Sequence, residues 1–472
     1  MRRSNRISSS RSGPAAQISN GGLTSIGGAF ALLAIVALAC VLGVQPASAV
    51  PSFARQTGQP CAACHTAFPE LTPFGRRFKL SGYTLQGGDP KFPPIAAMLM
   101  PSFTHTQAAA DPGSQPPGTR TNDNFVTQQV TGLYAGRIFG NLGGFIQVSG
   151  NPVSGQVWLD GSDVRYVDSF KLFDRDAFWG IDVNNTPTIQ DAWNTTPSFG
   201  FPEIASIFTA FSPPLTHIES GWGQQVAGAG AYVFWNDMLY AELTAYSGIS
   251  KTGLEALGEE PGPTPDLLNG VAPYWRLALE PHWGDHYLMI GTFVMYGQVI
   301  PAETFGFGYD DYTDVGFDSQ YQYDGDKYSV TVKLTDIIEF QRLNSSFAQG
   351  NSSNLDNRLN SFKANASFVW DHTYSLSAGY FDVSGTSDAG LYGANSLADS
   401  PNGNGLIFDV AYLPFSHGSP GPYSTYNARI GLQYTQYLKL YGGTANFDGS
   451  GLGGTHNASG DNTLFLYAWL AF

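Results

Sequence analysis

Lys327-Tyr328-Ser329-Val330-Thr331-Val332-Lys333-Leu334-Thr335-Asp336 reads as a strand with two unlike faces. Successive strand side chains point to opposite sides, so Tyr328, Val330, Val332 and Leu334 share an apolar face. Lys327, Ser329, Thr331 and Lys333 share a polar one. The same period runs through Thr373 to Tyr380, where Tyr374, Leu376, Ala378 and Tyr380 alternate with Thr373, Ser375, Ser377 and Gly379. It recurs in Arg429 to Leu440, where Ile430, Leu432, Tyr434, Leu438 and Leu440 oppose Arg429, Gln433, Thr435 and Lys439. Such alternation writes either a soluble sandwich with its apolar face inward or a transmembrane barrel with that face outward.

The turns separate the two. Tight turns are expected at Gly140-Asn141-Leu142, Trp235-Asn236-Asp237, Trp283-Gly284-Asp285, Asp324-Gly325-Asp326 and Asp371-His372. Long polar stretches lie between them, at about 248–272, 300–315, 337–360, 385–404 and 443–460. Short turns on one rim and long loops on the other are the pattern of an outer-membrane barrel. Laying strands between these markers from Ile95 onward gives about sixteen, an even number as bacterial barrels require. The final stretch, Thr463-Leu464-Phe465-Leu466-Tyr467-Ala468-Trp469-Leu470-Ala471-Phe472, fits a last strand with an aromatic end. Phe465, Tyr467 and Trp469 blur its alternation, and either line the interior or belong to an aromatic girdle.

Composition agrees. Of 472 residues 56 are Gly, aromatics make up 14% and charged residues 13%, against about 25% charged in an ordinary soluble domain. The mean hydropathy of −0.12 is too low for a polytopic helical membrane protein. The net charge of −15 excludes a nucleic-acid binder, which needs a basic face. Arg2, Arg3, Arg6 and Arg11, an apolar run from Ala29 to Val44 and Ala47-Ser48-Ala49 form a secretory signal peptide over residues 1–49. A retained anchor, or a lipoprotein anchored through Cys40, are the alternatives. Cleavage after Ala49 leaves 19 basic and 38 acidic residues, a net charge of −19.

Cleavage also leaves two cysteines, in Cys61-Ala62-Ala63-Cys64-His65. C-x-x-C-H is the attachment motif of c-type haem. Its thiols reach two vinyl groups on one porphyrin edge, and the histidine that follows becomes the proximal iron ligand. A disulfide or a chance match is the alternative, and zinc would lack a ligand. One covalent haem c is therefore expected on Cys61, Cys64 and His65, with His65 binding the iron at which the chemistry occurs. After the motif, Leu71, Phe74 and Phe78 predict a short helix with its apolar stripe on the haem, stopped by Gly82. Arg76, Arg77 and Lys79 are available to the propionates, with Arg76 the chosen cofactor-binding residue, or form a solvated basic face. The haem segment spans residues 50–92, too short to cover a porphyrin alone. Residues 93–472 are the barrel, wide enough to hold it as a plug.

Ser52-Phe53-Ala54-Arg55-Gln56-Thr57-Gly58-Gln59-Pro60 before the motif, and Phe74-Gly75-Arg76-Arg77-Phe78-Lys79 and Gly82-Tyr83 after it, make the chain resemble the fused monohaem cytochrome–porins. These are outer-membrane iron-oxidising c-type cytochromes. Asn184-Asn185-Thr186-Pro187 and Trp193-Asn194-Thr195-Thr196-Pro197 look like that family's barrel region. The resemblance implies an all-β transmembrane barrel with a small α-helical cytochrome plug. It further implies oxidation of extracellular ferrous iron, with the electron passed to a periplasmic cytochrome c or cupredoxin. A haem-plugged diffusion porin, or a conduit for a non-iron donor, are the competing readings.

For the sixth iron ligand, Met98 or Met100, which share a face of the first strand with Ser102 and Thr104, is the candidate, with Met98 the one chosen, against His105, His217, packing alone or no protein ligand. The stretch 185–225, by turn count the third external loop, either folds inward over the haem or stays outside. Glu303, Asp310, Asp311 and Asp314 lie in an acidic loop that attracts ferrous ions or is merely solvated.

Overall fold

In the computed structural model of the protein, the stretch 327–336 lies in a strand whose Ser329, Thr331, Lys333 and Thr335 are buried. Its Tyr328, Val332 and Leu334 are exposed. Polar in and apolar out is the inverse of a water-soluble core. The structure describes residues 51–88, 93–110, 113, 115–209, 213–259, 266–416, 427–445 and 457–472. The expected signal peptide, with Cys40 and Ala49, falls outside them.

The strands are β1 (Ile95–Thr106), β2 (Asn124–Phe139), β3 (Leu142–Asn151), β4 (Gln156–Leu159 continued by Asp163–Leu172) and β5 (Arg175–Asn184). Next come β6 (Val226–Trp235), β7 (Leu239–Gly248), β8 (Leu267–Asn269, Val271–Leu279 and His282–Trp283), β9 (His286–Ile300) and β10 (Asp310–Asp324). The last are β11 (Tyr328–Leu343), β12 (Asp356–Trp370), β13 (Tyr374–Gly385), β14 (Gly403–Tyr412), β15 (Asn427–Lys439) and β16 (Thr463–Ala471). Each pairs antiparallel with its neighbour, and β16 returns to β1 with Met98 opposite Ala471 and Thr106 opposite Thr463. The result is a closed barrel of sixteen strands. Closure leaves no edge, which is what lets strands cross a lipid core.

The outer wall carries Ile181, Leu243, Leu277, Ile290, Phe317, Leu334, Leu376 and Val410, all exposed. The inner wall carries buried Asp163, Arg165, Glu242, Arg276, Asp318, Lys333, Asp409 and Arg429. Among the described residues no helix is long and apolar enough to span a membrane. The crossing is made by strands.

All five expected tight turns fall on one rim, at the β2–β3, β6–β7, β8–β9, β10–β11 and β12–β13 connections. Asn236, Asp237, Asp371 and His372 adopt positive φ, the conformation that two-residue hairpins require. A sixth turn, at Phe173-Asp174, also has positive φ at both residues and carries no glycine to announce it.

The other rim differs from the sequence reading in two places. The expected loops at 300–315 and 337–360 are shorter, because β10 begins at Asp310, β11 runs to Leu343 and a short helix fills Asn344–Gln349. Their inward residues Asp310, Asp314, Glu339 and Gln341 are polar and buried, so composition alone makes wall look like loop. Leu440 is likewise not on the lipid face: past a register shift between β14 and β15 it packs, fully buried, with Tyr437 and Ala458. Phe465 and Tyr467 are each 1% exposed and face inward, which resolves the ambiguity of the last strand in favour of the lumen.

The inverted polarity is testable. Leu334→Arg, near the middle of β11, should lower stability by about 2–4 kcal/mol when unfolding is followed in lipid vesicles. An unchanged stability would mean that this face meets water.

Candidate functional site

The lumen is occupied at its N-terminal end by residues 51–88. They form α1 (Pro51–Thr57), a single turn α2 (Cys61–Cys64) and α3 (Pro73–Leu80). Thr72 caps α3 by accepting from the Gly75 amide at 3.1 Å, Pro73 supplies a preset φ at its start, and Gly82 ends it at φ 69°. The segment is tied to strands all round the barrel. Lys333 of β11 pairs with Glu70 at 3.1 Å, and Arg429 of β15 donates to the Phe68 carbonyl at 2.8 Å. Tyr232 of β6 donates to the Leu80 carbonyl at 2.7 Å, and Tyr83 donates to Asp163 of β4 at 2.8 Å. Arg77 pairs with Asp237 at the rim.

The described parts of the stretch, 185–209 and 213–225, fold inward. Asp191 is its organising residue: its carboxylate accepts the amides of Trp193 (3.0 Å), Thr195 (3.0 Å) and Thr196 (3.2 Å). Arg276 of β8 reaches both Asp191 at 3.3 Å and Asp318 of β10 at 2.6 Å. Trp193 donates its indole N–H to Glu280, and Thr195 its hydroxyl to Asp318. Farther on, the Ile218 amide donates to Asp314 at 2.8 Å and the His217 amide to Glu339 at 2.5 Å.

Between the helical segment and this loop lies a cavity of about 410 Å³, within the range of sites for drug-sized molecules and cofactors. Cys64, His65, Leu71, Gly75 and Phe78 line it from the helical segment, Met98, Met100 and Trp469 from the wall, and Asn194, Phe199 and Ile204 from the loop. Cys61, at the start of α2, is buried and is not among the residues that line it. Gly75 is required for close approach, since a Cβ there would run into the Cys64 carbonyl oxygen. Phe74, expected on the apolar stripe, is instead 38% exposed, and Gly75 takes its place facing the cavity.

The Nδ1–H of His65 donates to the Pro69 carbonyl at 3.1 Å. A carbonyl only accepts, so the proton sits on Nδ1 and the Nε2 lone pair is free to bind a metal. Burial lowers the His65 pKa to about 4 despite the backbone bonds that raise it, so the ring is neutral, as a ligand must be. Burial raises the Cys64 thiol to about 12. A vacant metal cluster of three or more His, Cys, Asp or Glu is absent among the described residues. The donor set is instead two thiols and one oriented imidazole beside a largely apolar cavity, which fits a c-type porphyrin better than a bare ion.

The other expected residues separate. Arg76 is not on the cavity: its guanidinium faces the wall, 3.0 Å from Glu280 and 2.7 Å from Gln322. The cavity's single Lys or Arg among the described residues is Lys79, which donates to the Asp191 carbonyl at 2.7 Å and lies 4.9 Å from the Phe199 ring. Met98 and Met100 do face the cavity, and the Met98 sulfur accepts from the Trp469 indole at 3.2 Å. His105 is partnered with Asp123 at 2.7 Å, away from the cavity. His217 packs against Tyr312 and Trp222 elsewhere. The acidic residues 310, 311 and 314 are wall positions with structural partners: Asp310 accepts the Ser345 amide at 2.7 Å and Asp311 the Tyr296 hydroxyl at 2.7 Å. Glu303 alone of the four lies in a loop turn. Sequence reasoning missed Asp191; an aspartate followed by Thr195 and Thr196 was its sole local signal.

No protein-family model matches the sequence, and no curated protein matches it. Solved structures do. The chain is similar to an outer membrane channel, DcaP, of Acinetobacter baumannii, at 12% identity and a TM-score of 0.45, over 80% of this chain and 96% of that one. It is similar to an anion-selective porin from Comamonas acidovorans at 9% identity and a TM-score of 0.42, over 80% and 98%. It is also similar to a loop-deletion mutant of OmpT, an outer membrane protein of Vibrio cholerae, at 10% identity and a TM-score of 0.40, over 80% and 98%.

Burial lowers the Lys79 pKa from 10.5 to about 7; Arg165 adds to the shift, and Asp163, Asp191 and Glu242 oppose it. A lysine depressed on folding binds fewer protons folded than unfolded between those values, so stability rises with pH across that window. Thermal unfolding of the protein without a bound anion should therefore show stability climbing from about pH 7 towards pH 10, and Lys79→Met should flatten the climb.

Proposed function

We propose that this protein is an outer-membrane c-type cytochrome built into a porin-like barrel, which oxidises ferrous iron outside the cell and delivers one electron to a periplasmic cytochrome c or cupredoxin. The observation that carries the reading is the placing of Cys61-Ala62-Ala63-Cys64-His65 inside the barrel, with His65 held by the Pro69 carbonyl so that Nε2 is free at the cavity. Haem bound there supplies a centre that changes by one electron. Cys61 and Cys64 would tether its vinyl edge, His65 would bind its iron, and Phe78, Phe199 and Met100 would pack against it. Lys79, rather than Arg76, would meet a propionate.

The helical segment and the inward loop occupy the lumen, so what crosses the membrane is an electron rather than the iron itself. Oxidising iron outside avoids precipitating poorly soluble ferric iron inside. The net charge of −19 expected for the exported chain favours a cationic donor over an anionic one. Ferrous iron as that donor rests on the resemblance of residues 52–83 to the cytochrome–porin family.

A diffusion channel is the second reading, favoured by a sixteen-stranded wall with a polar interior. The two readings part on one experiment. Anaerobic addition of ferrous iron to the purified ferric protein should reduce the haem, seen in its visible band, while liposomes bearing the protein stay tight to small solutes. No reduction, with rapid solute flux, would leave the channel in place of the cytochrome.

Gly75→Ala provides a structural check. Pushing α3 off the Cys64 carbonyl should lower the haem bound per chain severalfold, measured as the ratio of haem to protein absorbance, whereas Phe74→Ala should leave the ratio unchanged.

A further inference from the structure

Asn194 is the residue of the cavity whose hydrogen bonding is incomplete. It lines the cavity, is 5% exposed, and its amide oxygen has no partner. Among the described residues it is the sole cavity-lining side chain with such a buried unpartnered atom. Three further amides of the lining are engaged: Gln128 with the Ala205 carbonyl and the Ile207 amide, Gln129 with Ser149, and Gln147 with the Gly161 carbonyl. A buried acceptor left without a partner carries the full cost of its desolvation, so its retention calls for a partner.

Its backbone is held for that purpose. Asn194 sits at φ 54°, a conformation that side chains adopt at a cost and that surrounding structure must impose. Here the imposition is visible on both sides. Asp191 caps Trp193, Thr195 and Thr196, Trp193 is pinned by Glu280, and Thr195 by Asp318 and by the Thr335 hydroxyl on its carbonyl at 2.5 Å.

An amide oxygen can only accept. A porphyrin with its nitrogens on iron and its propionates ionised offers no donor, and neither does the Met98 sulfur, itself taken by Trp469. We propose that Asn194 accepts a hydrogen bond from a small protic ligand, water at rest, at the sixth position of the haem iron, so that the site is open to small exogenous ligands. The inference rests on the haem reading above. An incoming cyanide would form its bond to iron through the carbon lone pair as the water leaves, with no change in oxidation state.

The test uses the full-length ferric holoprotein in detergent, with potassium cyanide as probe. A high-spin spectrum that converts to low-spin as cyanide binds is expected. Asn194→Gly, which suits the positive φ, should change cyanide affinity about tenfold while retaining haem and fold. Asn194→Asp, which keeps the acceptor, should preserve the resting high-spin spectrum, and Met98→Ala should leave it unaltered. A low-spin resting spectrum that cyanide does not change, or an affinity indifferent to Asn194→Gly, would overturn the proposal while the haem reading stood. A preparation without a haem band would overturn the haem reading itself.

Discussion

A sixteen-stranded wall encloses more space than its own side chains can fill, and in this protein the wall points its charges into that space. Arg165, Arg276, Lys333 and Arg429 are each 4% exposed or less on the inner face. Unpaired charges in such a setting would be prohibitive. The interior must therefore be completed by groups from elsewhere in the chain, and everything else about the structure follows from how it is completed.

Two segments do so. Residues 51–88 bring Glu70 to Lys333, and the Phe68 carbonyl to Arg429, which also pairs with Asp409 at 2.8 Å and with Glu203 of the inward loop at 3.6 Å. The inward loop brings Asp191 to Arg276, whose second partner Asp318 comes from the wall. Arg276 and Arg429 are thus shared between wall and filler, and Lys333 pairs with filler, so the fillers are located by charge as well as by packing. The cavity is what remains where the two fillers do not meet. Its lining is apolar and aromatic apart from a few fixed groups, the environment in which a cofactor is held by shape and oriented by single contacts.

The barrel was legible because its signals are periodic. Tyr328 to Leu334 and Tyr374 to Tyr380 announce their lipid face by alternation alone, and Asn236-Asp237 and Gly284-Asp285 announce turns by chemistry. Phe173-Asp174 did not, since positive φ at both residues was imposed by the tight hairpin rather than encoded by glycine. Strand ends such as Asp310 and Glu339 were misread for a physical reason: a residue facing a polar lumen has the composition of a loop. The motif at Cys61 to His65 was legible because its spacing is local. Arg76 and Lys79 were not separable, being three apart on one short helix, and only their tertiary partners distinguish a wall anchor from a cavity cation. The inward course of 185–225 depends on Asp191 reaching Arg276 far along the chain, which no local pattern records.

The proposed cytochrome stands on a porphyrin attached to Cys61 and Cys64. The most direct measurement is the intact mass of the exported chain, produced alongside haem-attachment machinery, together with its reduced pyridine spectrum. One haem added per polypeptide, surviving acid extraction and giving the thioether-type band, is the expected result. A colourless chain with the mass of the polypeptide alone would contradict it.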